Sequence, residues 1–239
     1  MNNSLKIALI GYGKMGKTIE RIAQERNHQI TARIDIDNQA EWNSVIADVA
    51  IEFSHPDAAF ENIKKGLALG IPVISGTTGW LDKKKEIETF TETHNGTFFY
   101  ASNYSLGVNL FFKINEYAAA LLQRFPEYKI SMEEIHHTEK KDKPSGTAIT
   151  LAEGIMKHQT RFKSWTLAQE ANDTKLSIQS LREGQVAGIH SVKYNSMMDA
   201  IELKHTAHSR EGFALGALLV AEWIPGKKGI LGMDDFLKI

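Results

Sequence analysis

The chain has 239 residues, 42% hydrophobic and 24% charged, with a formal net charge of −1 and no cysteine. Such a chain can bury one or two real cores. Its near-neutral charge gives no bulk attraction to nucleic acid or anionic membrane, and the lack of cysteine excludes disulfides and thiolate metal sites. No apolar run approaches the roughly 20 residues needed to span a bilayer. The start, Met1 to Lys6, leads into a strand and does not read as a signal peptide. A soluble, cytoplasmic protein is expected, with no nucleic-acid or membrane partner.

Leu5 to Ile10 is an almost unbroken apolar run, as in a strand buried on both faces. Gly11-Tyr12-Gly13-Lys14-Met15-Gly16 follows directly, and Ile19, Ile22 and Ala23 then recur at helical spacing over Lys17 to Glu25. Gln29 to Ile36 reads as a second strand that carries Asp35 near its end, about 20 residues beyond the last glycine. Strand, glycine turn, helix, strand and distal acid together predict a dinucleotide site. In that pattern the first glycine makes the tight turn and the second admits a pyrophosphate. The third lets helix and strand pack, and the acid takes the adenosine ribose hydroxyls. Beyond the polar link Asp37 to Ser44, strands are predicted over Val45 to Phe53, Ile71 to Ile74 and Gly96 to Tyr100. Helices are predicted over Asp57 to Leu69 and Leu81 to Thr93. The turns at Ser54, at Gly76-Thr77-Thr78-Gly79 and at Ala101-Ser102-Asn103-Tyr104-Ser105 fall at the carboxyl ends of these strands. That is where open α/β sheets bind ligands.

After Leu106 the alternation changes. Val108 to Phe125 reads as a long apolar helix, Lys129 to Ile135 as a strand and Ala148 to Met156 as a helix. Leu176 to Leu181, Gly188 to Tyr194 and Met198 to Thr206 read as strands, and Arg210 to Ile224 as a final apolar helix. The expected fold is α/β: a Rossmann-type dinucleotide-binding domain over 1–107 with a return over 211–239, and an inserted α+β domain over 108–210. The inserted sheet should be antiparallel or mixed.

The stretch Glu134 to Thr147, Glu-Ile-His-His-Thr-Glu-Lys-Lys-Asp-Lys-Pro-Ser-Gly-Thr, is the densest in chemistry. It lies between a predicted strand and a predicted helix. Lys143 precedes a proline and is thereby kept out of the α region, and Ser145 is placed to cap the helix. Free amides at a helix start bind anions, and the neighbouring lysines strengthen that preference. The stretch therefore reads as a site for a small dianionic acid, with imidazole and ammonium groups over it. His136 and His137 point to opposite faces if the strand runs through both.

These residues resemble 4-hydroxy-tetrahydrodipicolinate reductases, the dihydrodipicolinate reductase family, over essentially the full length. Glu134-Ile135-His136-His137, Lys140, Asp142 and Pro144-Ser145-Gly146-Thr147-Ala148 carry the resemblance. Gly11 to Gly16, Gly76 to Gly79, Asn103 to Ser105, Arg182-Glu183-Gly184, Gly188-Ile189-His190 and Ser209-Arg210 support it. The resemblance implies that NADH or NADPH reduces a cyclic, unsaturated imine with two carboxylates to tetrahydrodipicolinate, without a metal. It implies His136 as the general acid and Lys140 as the second catalytic group. His137, Ser145, Gly146 and Thr147 would hold the carboxylates. Gly11, Gly13, Lys14, Met15, Gly16, Asp35, Phe53, Gly76, Thr77, Thr78, Ala101, Ser102, Asn103 and Tyr104 would bind the cofactor. It also implies a homotetramer built through the second sheet. The chain departs from the family in a short link between Asp37 and Val45, in His55 where arginine is common, and in a glycine turn one residue tighter.

Asp35 is followed by Ile36 rather than by the arginine that greets a 2′-phosphate, so NADH is the expected donor, with NADPH still usable. Arg33 shares a strand face with Asp35 and could offset part of that preference. Two other readings fit the glycine fingerprint alone. One is another amino-acid-pathway dehydrogenase of the homoserine or aspartate type, and the other is a non-catalytic NAD(H) sensor. Neither explains the His-His-x-x-Lys loop joined to Pro-Ser-Gly-Thr.

Overall fold

The computed structural model describes residues 4–167, 172–209 and 211–238. Two compact units emerge: Met1–Leu106 with Glu211–Ile239, and Gly107–Arg210. In chain order the first unit supplies β1 (Lys6–Ile10), α1 (Lys14–Glu25), β2 (Gln29–Ile34), β3 (Val49–Glu52), α2 (Pro56–Ala68), β4 (Val73–Ser75), α3 (Lys84–Thr93) and β5 (Thr97–Tyr100). Then come α4 (Leu106–Leu122), β6 (Lys129–His136), α5 (Gly146–His158), β7 (Ser164–Leu167), β8 (Lys175–Arg182), β9 (Ile189–Asn195) and β10 (Ala200–Thr206). The chain closes with α6 (Glu211–Trp223), β11 (Gly229–Leu231) and α7 (Met233–Phe236).

The first unit holds a six-stranded parallel sheet in the order β11-β5-β4-β3-β1-β2. Period-two alternation sorts its side chains onto two faces. Ile7, Leu9, Val49, Ile51 and Phe99 pack with Ile19 and Ile22 of α1 and with Ala217, Leu218 and Ala221 of α6. Ala8, Ile10, Ala50, Val73 and Phe98 pack with Ala59, Ile63 and Leu67 of α2. Burial on both faces is why these strands read as continuous apolar runs. A large aliphatic side chain cut to alanine here costs about 2–5 kcal/mol.

The second unit holds a five-stranded mixed sheet in the order β10-β9-β6-β8-β7. β9 runs antiparallel to both β10 and β6, while β8 runs parallel to β6 and β7. One face packs Ile130, Met132, Leu176, Ile178, Val192 and Tyr194 against Phe111, Ala119, Leu151 and Ile155 of α4 and α5.

The boundaries differ from the sequence reading in instructive places. The third strand is Val49–Glu52 and not Val45 to Phe53; Asp48 only leads in, with its amide on the Lys6 carbonyl. The first helix starts three residues earlier than Lys17, directly on the glycine turn. The polar link Asp37 to Ser44 is part of a 3-10 segment, Ile36–Ser44, capped by the Asp35 carboxylate. The edge strands β7 and β11 and the short α7 were not anticipated, because segments of three or four residues at a sheet edge carry little periodicity. Arg210 lies outside the described residues.

Candidate functional site

In the first unit the three glycines of the turn differ sterically in the way their spacing predicts. Gly11 has φ +89°, and a Cβ there would lie 2.1 Å from the Phe53 carbonyl oxygen. A Cβ on Gly16 would lie 2.4 Å from the Gly11 oxygen, so α1 packs directly on the turn. A Cβ on Gly13 would meet nothing within 4 Å. Gly13 is therefore open, and it precedes a twelve-residue helix that has no side-chain cap and no acid in its first turn. Those are the conditions for an anion at a helix start. Lys14 and Lys17 are exposed beside it, and Met15 packs against the core.

A cleft of about 410 Å³ opens beside this turn, lined among others by Gly13, Asp35, Ile36, Phe53, His55 and Asn62. Asp35 accepts from the Tyr12 amide (3.1 Å) and the Ile36 amide (2.9 Å), and Asn38 accepts from the Asp35 amide at 2.7 Å. The carboxylate is thus fixed at the carboxyl end of β2 while remaining exposed. Arg33 does not turn toward that cleft. Its guanidinium forks onto Glu20, which also takes the Tyr12 hydroxyl. His55 caps α2 through the Asp57 amide, so its imidazole serves the helix start.

Farther along the sheet, Phe53, Gly76 to Thr78 and Ala101 to Tyr104 follow the carboxyl ends of β3, β4 and β5. A Cβ on Gly76 would lie 2.1 Å from the Phe53 ring, so the turn backbone rests on that ring. The Tyr104 hydroxyl donates to the Ser75 carbonyl at 2.8 Å, and its ring meets Phe53 edge-on at 5.5 Å. Burial, first, and then the Glu52 charge push the Tyr104 phenol well above its ordinary value. Ala101 is buried, Ser102 is exposed, and Asn103 accepts from the Ser105 amide at 2.9 Å. Thr78 is exposed, while Thr77 is buried with its hydroxyl donated to Glu52 at 2.8 Å. Thr77 therefore supports the turn from beneath.

In the second unit β6 carries Glu134 and His136 on the same buried face, and it ends at His136. His137 is the first residue past the strand and is half-buried, so the clash of directions expected for an unbroken strand does not arise. Glu134 is fully buried. One of its oxygens forms an ion pair with His136 Nδ1. The other accepts from the Ser180 hydroxyl, from Arg182 Nη1 at 3.0 Å and from the Ser145 amide at 3.3 Å. Burial alone would raise the Glu134 carboxyl. The donors His136, Ser180 and Arg182 outweigh it and hold the group well below the usual carboxylate range.

His190 stands edge-on to His136, with ring centroids 5.0 Å apart, and its Nε2 lies 3.1 Å from the Ser145 hydroxyl. Burial, and then the His136 charge, push His190 down to about 3, so it is neutral at working pH. Glu134, His136 and His190 lie close enough together to suggest a metal ion. A cation would have to compete there with Arg182, which already neutralises the carboxylate.

Ser145 caps α5 by accepting from the Ala148 amide at 3.2 Å. It is 2% exposed and turned inward, toward Glu134 and His190, whereas Gly146, the first residue of the helix, is exposed. Lys140 Nζ lies 2.7 and 2.8 Å from the two Asp142 oxygens. Arg182 also donates to the carbonyls of Lys140 (3.2 Å) and Asp142, lashing the loop to the sheet. Glu134, Ser180, Arg182 and His190 are the residues that sequence reasoning did not assign. The period-two pairing of Glu134 with His136, and the quoted Gly188-Ile189-His190, were the signals available.

A parallel sheet whose glycine turn opens directly into a helix, joined to a second unit with a mixed sheet, is the architecture of a nicotinamide-dependent oxidoreductase, and the family matches agree. The chain belongs to the dihydrodipicolinate reductase family: the family's N-terminal model matches residues 5–104 and its C-terminal model residues 107–237. It is 47% identical over 234 residues to the 4-hydroxy-tetrahydrodipicolinate reductase of Christiangramia forsetii, covering 98% of each chain. The Methanoregula boonei protein of the same name is 32% identical over 252 residues, 97% of each. The dipicolinate-bound dihydrodipicolinate reductase of Paenisporosarcina sp. TG-14 superposes with a TM-score of 0.78 over 98% of this chain and 100% of that one. At 18% identity that likeness speaks to the fold.

Proposed function

We propose that this chain reduces 4-hydroxy-tetrahydrodipicolinate, by way of dihydrodipicolinate, to tetrahydrodipicolinate in the diaminopimelate route to lysine. The observation that carries the reading is the buried Glu134–His136 ion pair on the strand leading into the Lys140 loop and the Gly146-Thr147 helix start. Bound at the glycine turn, the nicotinamide nucleotide supplies a hydride. Hydride addition leaves electron density on the substrate ring, and a proton must follow. His136 is the group to give it. The Glu134 carboxylate holds the Nδ1 side of the ring, which leaves Nε2 to exchange the proton. Gly188 keeps that nitrogen uncovered, since a Cβ there would approach it to 3.2 Å.

The Gly146 and Thr147 amides hold a substrate carboxylate, with the Thr147 hydroxyl and His137 beside them. Ser145 fixes this helix start from within. Lys140 is the second catalytic group, and it must exchange the Asp142 carboxylate for substrate, so the loop is primed by one anion for another. NADH is the preferred donor. Both Asp35 oxygens are fixed by backbone amides, and Arg33, tied to Glu20, does not neutralise them.

A cytoplasmic homotetramer is part of the same reading. Among the described residues no helix is long and apolar enough to cross a membrane. Leu110, Ile114, Tyr117 and Leu121 leave an exposed apolar stripe along α4, and Met197, Met198 and Ile201 are exposed at the β10 edge. Surfaces of this kind are commonly covered by another chain. The direct test is NADH oxidation followed at saturating enzyme with dihydrodipicolinate made in situ. Turnover supports the reading, and nucleotide binding without turnover, and without protection by pyridine-2,6-dicarboxylate, would replace it with a sensor.

A further inference from the structure

A second buried carboxylate lies in the first unit, outside the chemistry derived above. Glu52 is the last residue of β3 and is fully buried. One of its oxygens accepts from the Ser54 amide (2.9 Å), the Ser54 hydroxyl (2.5 Å) and the Thr77 hydroxyl (2.8 Å). The other accepts from the Ser75 hydroxyl at 2.6 Å. Every partner is neutral, and among the described residues no cation pairs with it. Its charge is felt by its neighbours, since it adds to the upward push on both Tyr100 and Tyr104.

The position of this charge follows from the topology. β1 has β2 on one side and β3 on the other. Asp35 marks the adenosine side at β2, and the pyrophosphate belongs at Gly13. A dinucleotide crossing the carboxyl edge therefore places its other end over β3, β4 and β5. Glu52 ties together the turns that follow β3 and β4 at that end. A buried carboxylate met by neutral donors keeps a negative potential that a carboxylate paired with a guanidinium does not.

We propose that Glu52 is a positioning residue for the nicotinamide end of the cofactor, fastening the Ser54 and Ser75–Thr77 turns and biasing the site by its uncompensated charge toward the cationic, oxidised ring. This rests on the reading of the first unit as the nucleotide site. It assigns Glu52 two separable effects: a hydrogen-bonding one, common to both redox forms of the cofactor, and an electrostatic one, which distinguishes them.

The test is titration calorimetry of the full chain with NAD⁺, NADH and AMP. In Glu52→Gln the NAD⁺ dissociation constant should rise about three- to ten-fold more than that of NADH, the size of one screened charge at several ångströms. AMP, which lacks the nicotinamide, should bind as before. Glu52→Asp keeps the charge but shortens the reach, so it should weaken both dinucleotides while keeping their ratio. Should Glu52→Gln not fold, Ser75→Ala removes one neutral donor and should move the ratio toward NAD⁺. Equal weakening of NAD⁺ and NADH in Glu52→Gln, or an unmoved ratio in Ser75→Ala, would overturn the electrostatic role. Either result leaves substrate turnover by the wild-type chain, and hence the proposed function, unaffected.

Discussion

The two units each bury a glutamate completely at or near the carboxyl end of a strand, Glu52 on β3 and Glu134 on β6, yet they answer its charge differently. Glu134 is met by two groups that carry or can carry positive charge, His136 and Arg182, with Ser180 and an amide completing its lone pairs. Glu52 is met by hydroxyls and an amide alone. A carboxylate neutralised by a guanidinium and an imidazole orients those groups and adds little field of its own. One satisfied only by neutral dipoles keeps its field. Burial by itself therefore does not say what a carboxylate does, whereas the charge of its partners does.

The comparison can be broken most severely at His136. His136→Gln keeps volume and a donor but removes the exchangeable acid, and kcat should fall about 10²–10⁴-fold with a smaller change in KM. Steady-state kinetics at saturating NADH decides this, and an unchanged kcat would remove His136 from the proton step. Glu134→Gln should cost less, roughly 10–100-fold in kcat, the scale on which groups that orient a functional histidine act. It should leave KM for NADH unmoved if, as proposed, the cofactor binds to the other unit.

Much of this was legible in the sequence, and the rest was hidden for a physical reason. Glycine turn, distal acid and strand-to-helix loop are local patterns, and the structure carries each of them. Glu134 and His136 are two apart on a strand, so their shared face was also available. What pairs with them was not. Arg182 lies opposite His136 on β8, and His190 lies opposite Glu134 on β9, through a register that no local periodicity encodes. Likewise Glu52 reads as one polar residue closing an apolar strand, and only the parallel register with β4 puts Ser75 beside it. The inward turn of Ser145 was hidden for the same reason, because His190 reaches it from a strand about 45 residues on.

Lys140→Ala should damage kcat and KM together, by about ten-fold or more in kcat/KM, if the ammonium serves as both donor and charge partner. A change in KM alone would make it an anchor. A smaller effect is read by pH within the second unit, which holds both His190 and Glu134. Because the folded value of His190 lies below the ordinary histidine value of about 6.5, the unfolded chain takes up a proton first as pH falls. Stability should therefore decline from pH 6.5 toward about 3 on this account. His190→Asn should flatten that decline, measured as denaturant midpoints across the range, whereas a variant with the wild-type slope would show the group to be accessible. Glu134, held below its ordinary value, contributes stability above that value and loses it only at more acid pH. The smallest effect is cofactor choice. NADH should be preferred over NADPH by a modest factor in kcat/KM at fixed ionic strength, and Asp35→Ala should narrow the gap. A clear preference for NADPH would mean that Lys14 and Lys17 outweigh the acid.

The claim at the centre is that Glu134 acts through His136, and a double-mutant cycle on kcat measures it most directly. If the two residues form one unit, adding Glu134→Gln to His136→Gln should slow the enzyme no further than His136→Gln alone. If the two losses multiply in the double variant, Glu134 acts independently of His136 and the account of the proton donor is wrong.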